Sequence, residues 1–351
     1  MFPLTAQDVP AGVRRVIPRP VRRIAGRLAA HGIARQVEQQ LMALAGGREP
    51  IVAGPWLGEV GFELLYWVPF IRWFAARFGV PPERIVAVSR GGSEPWYRGV
   101  AGRYLDVLQF MSADEFRRRN QTRSIEVGEQ KQVAIAAFDD EVLAAVRGEI
   151  GSATVLHPEI MYRLFAPYWW GHQPLSWVRR FARFEKMAPP EIDLELPSDY
   201  IAVKFYFNDC FRRTEATERF VDRTIRRLGT EAPVISLSTG LSIDEHGPCE
   251  PDVAAMRSIQ DRLSPANNLL VQSAIVARAR RFVGTYGGFA YLAPFYGVPS
   301  HGYYSDRDGF SVRHLDLAQV VFGAQPGVPL LTIEEADIRS SLELTTRRPG
   351  L

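Results

Sequence analysis

The chain has 351 residues, and at about 150 residues per domain that length predicts two domains. Its 46% hydrophobic and 23% charged residues exclude wholesale disorder, a collagen-like repeat and a coiled-coil rod, and Cys210 and Cys249 are too few for a disulfide framework or a four-thiolate zinc site. A formal net charge of +3 announces no nucleic-acid partner, yet the cations are almost all arginine, with lysine only at Lys131, Lys186 and Lys204.

Positive charge gathers at the front, where Arg14, Arg15, Arg19, Arg22, Arg23, Arg27 and Arg35 face only Asp8 and Glu38. Pro18 and Pro20 stop an early helix, whereas Val21, Ile24, Leu28, Val37, Leu41 and Leu44 fall at helical spacings. Residues 1–48 therefore read as a basic amphipathic arm, lying on anionic lipid headgroups or packed on the body with its arginines solvated. No apolar run reaches about 18 residues and no secretory signal pattern opens the chain, so a cytoplasmic location is expected.

Residues 49–190 form the first expected domain. Ile51–Gly54 predicts a strand entering a turn at Pro55 and Trp56. Leu64, Leu65, Trp67, Val68, Ile71, Phe74 and Phe78 predict a helix kinked at Pro69, and residues 84–89 a second strand. Strand, glycine turn, helix, strand is a βαβ unit. The middle region is less regular; it holds a basic run at Arg117–Arg119, a helix over 139–147 and an aromatic cluster of Tyr162, Phe165, Tyr168, Trp169, Trp170 and Trp177. Those aromatics serve as core or as a platform for sugar rings.

The proline-rich stretch 188–197 reads as a linker into a second domain, 191–351. There the pattern predicts strands over 200–207, 233–238, 281–284 and 300–304, and helices over 217–228, 269–279 and 288–296. A last helix from Ile333 would be placed to pack back on the first domain. The expected architecture is α/β, two Rossmann-like domains facing a cleft.

Gly284 and Thr285 end a strand, Tyr286 follows, and Gly287-Gly288 turns the backbone into the next helix. The first amides of that helix are unpaired and its dipole is positive there, so a diphosphate can sit on them without a cationic side chain. The glycines permit close approach and Thr285 offers a hydroxyl, although a plain tight turn uses the same residues. Walker, nucleophile-elbow and full dinucleotide motifs are missing, and Asp244-Glu245-His246 lacks the spacing of a metal site.

The order Ala274–Ala279, Val283-Gly284-Thr285, Gly287, Leu292-Ala293, Gly297-Val298-Pro299 resembles the donor-binding segment of GT-B glycosyltransferases, most of all their bacterial heptosyltransferase-like group. The family's Asp-Ser-Gly turn is replaced by Tyr286-Gly287-Gly288, and Pro294 interrupts the helix. Gly54–Arg72 is similar to the glycine turn and apolar helix that open the acceptor domain of such enzymes. The resemblance implies an inverting, metal-independent transferase with no cofactor, moving a sugar from a nucleotide-sugar donor to a saccharide or lipid-linked acceptor in surface polysaccharide synthesis. The basic arm would suit work at the inner membrane face.

It also implies roles for residues. Glu59 stands where that group carries a candidate catalytic acid or base, with Glu63 the second candidate, and partial burial beside Trp56 would raise the pKa of Glu59. Helix-start carboxylates also serve the dipole alone, by about 0.3–1 kcal/mol. Lys204 and Arg212 would neutralise the leaving diphosphate with Thr285, Gly287 and Gly288, and Asn208, His246 and Tyr286 would touch the rest of the donor. By strand alternation Lys204, Tyr206 and Asn208 share a face; a lysine paired with a nearby acid is the structural alternative. A polysaccharide pyruvyltransferase-like enzyme and a catalytically silent GT-B-like scaffold remain competing expectations.

Overall fold

The structure, a computed structural model, describes residues 19–128, 131–239, 247–248, 256–323 and 330–338. It begins with one long helix, α1 (Arg19–Gly46), that buries Ala30, Ala34, Val37 and Leu41 at i, i+4, i+7 and i+11. This stripe packs on the first α/β unit, so the described part of the arm lies on the body, with Arg27 and Arg35 exposed.

That unit comprises β1 (Ile51–Ala53), α2 (Val60–Phe62), a π-helical turn (Glu63–Trp67), α3 (Val68–Phe78), β2 (Ile85–Ser89), α4 (Glu94–Tyr97) and β3 (Arg103–Asp106). It continues through α5 (Ala113–Val127), α6 (Ala137–Ile150), β4 (Thr154–Leu156), α7 (Pro158–Trp169) and α8 (Leu175–Arg180). Its strands form a parallel sheet in the order β3-β2-β1-β4. β1 and β2 are buried at every position, as strands covered on both faces must be, which is why they read as continuous apolar runs. Val52, Val86 and Val88 turn toward α5 and α6, and Ile51, Ala53, Ile85 and Ala87 toward the larger core.

Residues 181–200 carry no regular element. The second unit holds β5 (Ile201–Lys204), β6 (Tyr206–Phe207), α9 (Glu215–Gly229), β7 (Val234–Ser236), β8 (Gly247–Pro248), β9 (Met256–Arg257), α10 (Asn268–Arg278) and β10 (Arg281–Thr285). It ends with α11 (Gly288–Phe295), β11 (Ser300–Tyr304), α12 (Val312–Phe322) and β12 (Leu331–Glu335). A six-stranded parallel sheet runs β12-β11-β10-β5-β7-β9, and β6 pairs antiparallel with β8. One core cluster runs through both units.

Two expectations fail here. The single strand over 200–207 is broken at Phe205: β6 leaves the large sheet, so Lys204 and Tyr206 are not alternate residues of one strand. The helix expected from Ile333 starts as a strand, because Leu331–Glu335 pairs with Ser300–Tyr304 in parallel register along the sheet edge. β-branched Thr332 and Ile333 suit that role. The remainder of that expected helix, from Arg339, lies outside the described residues.

Candidate active site at the seam between the two sheets

Loops from the carboxyl ends of both sheets meet at a seam, the place where open α/β sheets bind ligands. From the first sheet comes the turn after β1. Gly54 takes φ 139°, and a side chain there would collide with the Val88 carbonyl. Gln132 fixes the turn, accepting from Leu57 N at 2.8 Å while donating to Pro55 O and to Asp139, which also meets His157. Arg90, almost fully buried, donates to Gly58 O at 2.7 Å. The turn delivers Glu59 to the surface at the start of α2, its backbone extended and its carboxylate making no cap bond. Partial burial beside Trp56 is therefore not found: Glu59 is exposed, whereas the Trp56 ring is fully buried and stacks on Trp67.

From the second sheet comes Thr285–Gly288. A side chain at Gly287 would collide with the Tyr206 hydroxyl, and a Cβ at position 288 would lie 2.8 Å from Gly61 N and 2.9 Å from Val60 Cγ1. The two glycine turns are thus in backbone contact, and the amino ends of α2 and α11, both positive dipole ends, face each other. Lys204 stands beside this junction, donating to Gln272 Oε1 at 2.6 Å with its ammonium 3.7 Å from the Phe289 ring in the first turn of α11.

The remaining expected residues divide. Thr285 is fully buried and donates its proton to Tyr206 O at 2.8 Å while accepting from Tyr206 N, so it ties β6 to β10 and offers no hydroxyl proton to a phosphate. Asn208 Oδ1 accepts from the amides of Cys210 and Phe211, closing a turn. Arg212 pairs with Asp306 at 2.9 Å on the loop after β11, and its amide donates to Ser305 Oγ. Tyr286 is buried, accepts from the Tyr291 hydroxyl at 2.7 Å, and burial pushes its phenol pKa up. His246 lies outside the described residues.

Glu63 is not a lip residue. It is fully buried in the π turn, and its Oε1 accepts from Ser89 and Tyr97 at 2.6 Å each and from Ser93 at 3.4 Å. Oε2 has no hydrogen-bond partner among the described residues. Desolvation raises the pKa to about 7, outweighing those bonds and the charge of Arg90. Its bonds hold the Arg90–Ser93 turn, whose Gly91 carbonyl accepts from Leu269 N of the second unit at 2.7 Å. Sealed from solvent, this carboxyl is placed to order the Arg90–Ser93 turn and not to meet an acceptor hydroxyl in this conformation.

No protein-family model matches the chain, and no curated protein does. Solved structures are similar at low scores. The glycosyl transferase family 9 protein of Veillonella parvula DSM 2008 aligns over 88% of this chain and 91% of its own, at 10% identity and a TM-score of 0.41. The heptosyltransferase WaaC of E. coli with ADP aligns over 85% and 96%, at 11% and 0.38. The glycosyltransferase SnogD of Streptomyces nogalater aligns over 83% and 88%, at 13% and 0.33. All three are glycosyltransferases. At such identities none supplies a residue correspondence, and the site rests on its own geometry.

Sequence reasoning missed the clasp beside the junction. His314, from α12, places Nδ1 2.7 Å from the Tyr66 hydroxyl across the seam and sets its ring edge-on to Phe62 at 4.8 Å. Desolvation and the charge of Lys131 hold it neutral, with a pKa lowered to about 3. Lys131 lies over Phe62 and Trp169 completes the wall, so part of the aromatic cluster lines the seam; Tyr162, Phe165, Tyr168 and Trp177 are core, and Trp170 is on the outer surface. Lys186 lies over Gly297, beyond the carboxyl end of α11, and is exposed. The sequence signal for the clasp is local: the unbroken apolar run Leu64–Val68 fits no one-sided helix and marks an element enclosed on all sides.

Proposed function

We propose that the protein is a glycosyltransferase that moves a sugar from a nucleotide-activated donor to a saccharide or lipid-linked acceptor in surface polysaccharide synthesis, with inversion and without a metal. The observation that carries this reading is the junction itself: the amino ends of α2 and α11 meet at Gly61 and Gly288, with Lys204 beside α11 and an exposed carboxylate, Glu59, two residues from Gly61. Two positive helix ends brought together favour an anion between them. In this mechanism the seam opens to admit the donor diphosphate to the first turn of α11. The helix amides and Lys204 stabilise the negative charge that grows on the leaving diphosphate. Glu59 takes the proton of the acceptor hydroxyl as its oxygen attacks the anomeric carbon and the bond to the diphosphate breaks. Reclosure keeps water from the donor.

Saturation-transfer NMR against uridine, guanosine, adenosine and cytidine diphosphates tests the donor half; silence from all four ends the sugar-nucleotide reading. Glu59→Gln tests the base, removing turnover while sparing nucleotide binding. Turnover at the parent rate would remove Glu59 from the mechanism.

A further inference from the structure

We propose that the outer face of α1, with the turn between α7 and α8, is a docking surface for an anionic lipid bilayer. The buried stripe of α1 leaves another stripe outward, on which Leu28 is 70% exposed. The helix runs along the α7–α8 turn: Gly26 abuts the His172 ring, Arg27 O accepts from Gln173 Nε2, and the His31 ring meets Trp177 edge-on at 5.2 Å. That turn presents Trp170, 52% exposed beside His172, although tryptophan is ordinarily one of the most covered side chains.

The same face is basic. Arg27, Arg35, Arg179 and Arg180 are exposed, and Glu38 is tied to Arg180 at 3.2 Å. Exposed indole and leucine amid arginines form the interfacial pattern, in which apolar side chains enter the headgroup boundary and cations meet lipid phosphates. A second copy of the chain is disfavoured as occupant because it would set arginine against arginine. A nucleic-acid backbone would leave Leu28 unused. No helix among the described residues is long and apolar enough to cross a membrane. The proposal stands independently of the transferase reading.

The test is co-sedimentation of the full chain with vesicles of phosphatidylcholine alone and of phosphatidylcholine with phosphatidylglycerol. Pelleting is expected only with the anionic vesicles, and high salt should release most of it. With each arginine near the surface contributing about fivefold, Arg27→Gln with Arg35→Gln should lower the partition coefficient about thirtyfold. Trp170→Ala should weaken binding too, and the melting temperature of the double arginine variant should be unchanged because those two side chains are exposed. Equal pelleting with both vesicle types, or a double variant that binds as the parent does, overturns the proposal. So does a dimer in light scattering that Trp170→Ala dissolves, or RNA binding that exceeds vesicle binding.

Discussion

Burial gives Glu63 a proton affinity near neutrality, and the sign of its effect on stability follows. Its pKa rises from 4.5 to about 7 on folding, so the folded state holds the proton more tightly. That contribution is complete below pH 4.5 and is lost as the pH climbs through 7, to the extent of about 3 kcal/mol. Glu63→Gln, which carries no titrating proton, should abolish this loss, and urea unfolding at pH 5 and pH 8 measures it. Equal slopes in parent and variant would place the carboxyl in a more polar setting than the one described. Thr285→Val probes a different residue-scale claim. Removing the hydroxyl leaves the Tyr206 amide and carbonyl buried without it, at a cost of about 1–3 kcal/mol, while nucleotide affinity should stay within twofold on the order of measurement error. A large loss of affinity without loss of stability would restore Thr285 as a ligand residue.

At the scale of elements, the glycine turns are legible in sequence and their consequences are not. Ile51–Gly54 and Val283–Gly288 each read as a buried strand ending in glycine, because parallel strands covered on both faces have no polar alternation to hide. That Gly61 and Gly288 touch is a fact about two elements more than two hundred residues apart, and no spacing carries it. The same holds for Tyr66 and His314. The sequence ranks Glu59 ahead of Glu63 as a helix-start carboxylate, but it does not reveal that the π turn encloses Glu63 among Ser89, Ser93 and Tyr97 while Glu59 stays outside. β12 was misread because a five-residue edge strand is too short for its period to separate it from a helix. Gly288→Ala tests the junction: its Cβ would press on the backbone of Gly61, which cannot swing aside as a side chain can. A stability loss of about 1–3 kcal/mol is expected, with turnover falling on the order of a hundredfold as the two turns are displaced. Full activity in this variant would show that catalysis does not pass through the closed junction.

Across the whole molecule, the seam is held by groups that answer to pH in opposite directions. His314 is kept neutral, with a pKa lowered from 6.5 to about 3, so its contribution is present above pH 6.5 and is lost as the pH falls below it. Glu63 loses its contribution as the pH rises. Between about 4.5 and 6.5 the two slopes oppose, and the parent should show a shallow optimum there. His314→Gln removes the acid limb, and its stability should no longer fall below pH 6.5, as thermal melts across that range would reveal. A parent and variant that decline together in acid would assign the acid limb to other groups.

The scarcity of lysine joins with where the three lie: Lys131 over Phe62, Lys186 over Gly297 and Lys204 beside α11. Lys131 and Lys204, both half-buried, are therefore built-in reporters on the opening of the seam, and the exposed Lys186 is an internal reference. Acylation by an amine-directed reagent, or cleavage by a lysine-specific protease, reads that one boundary with no engineered label. A nucleotide that holds the halves together should slow Lys131 and Lys204 and leave Lys186 unchanged, whereas one that merely covers α11 should slow Lys204 alone.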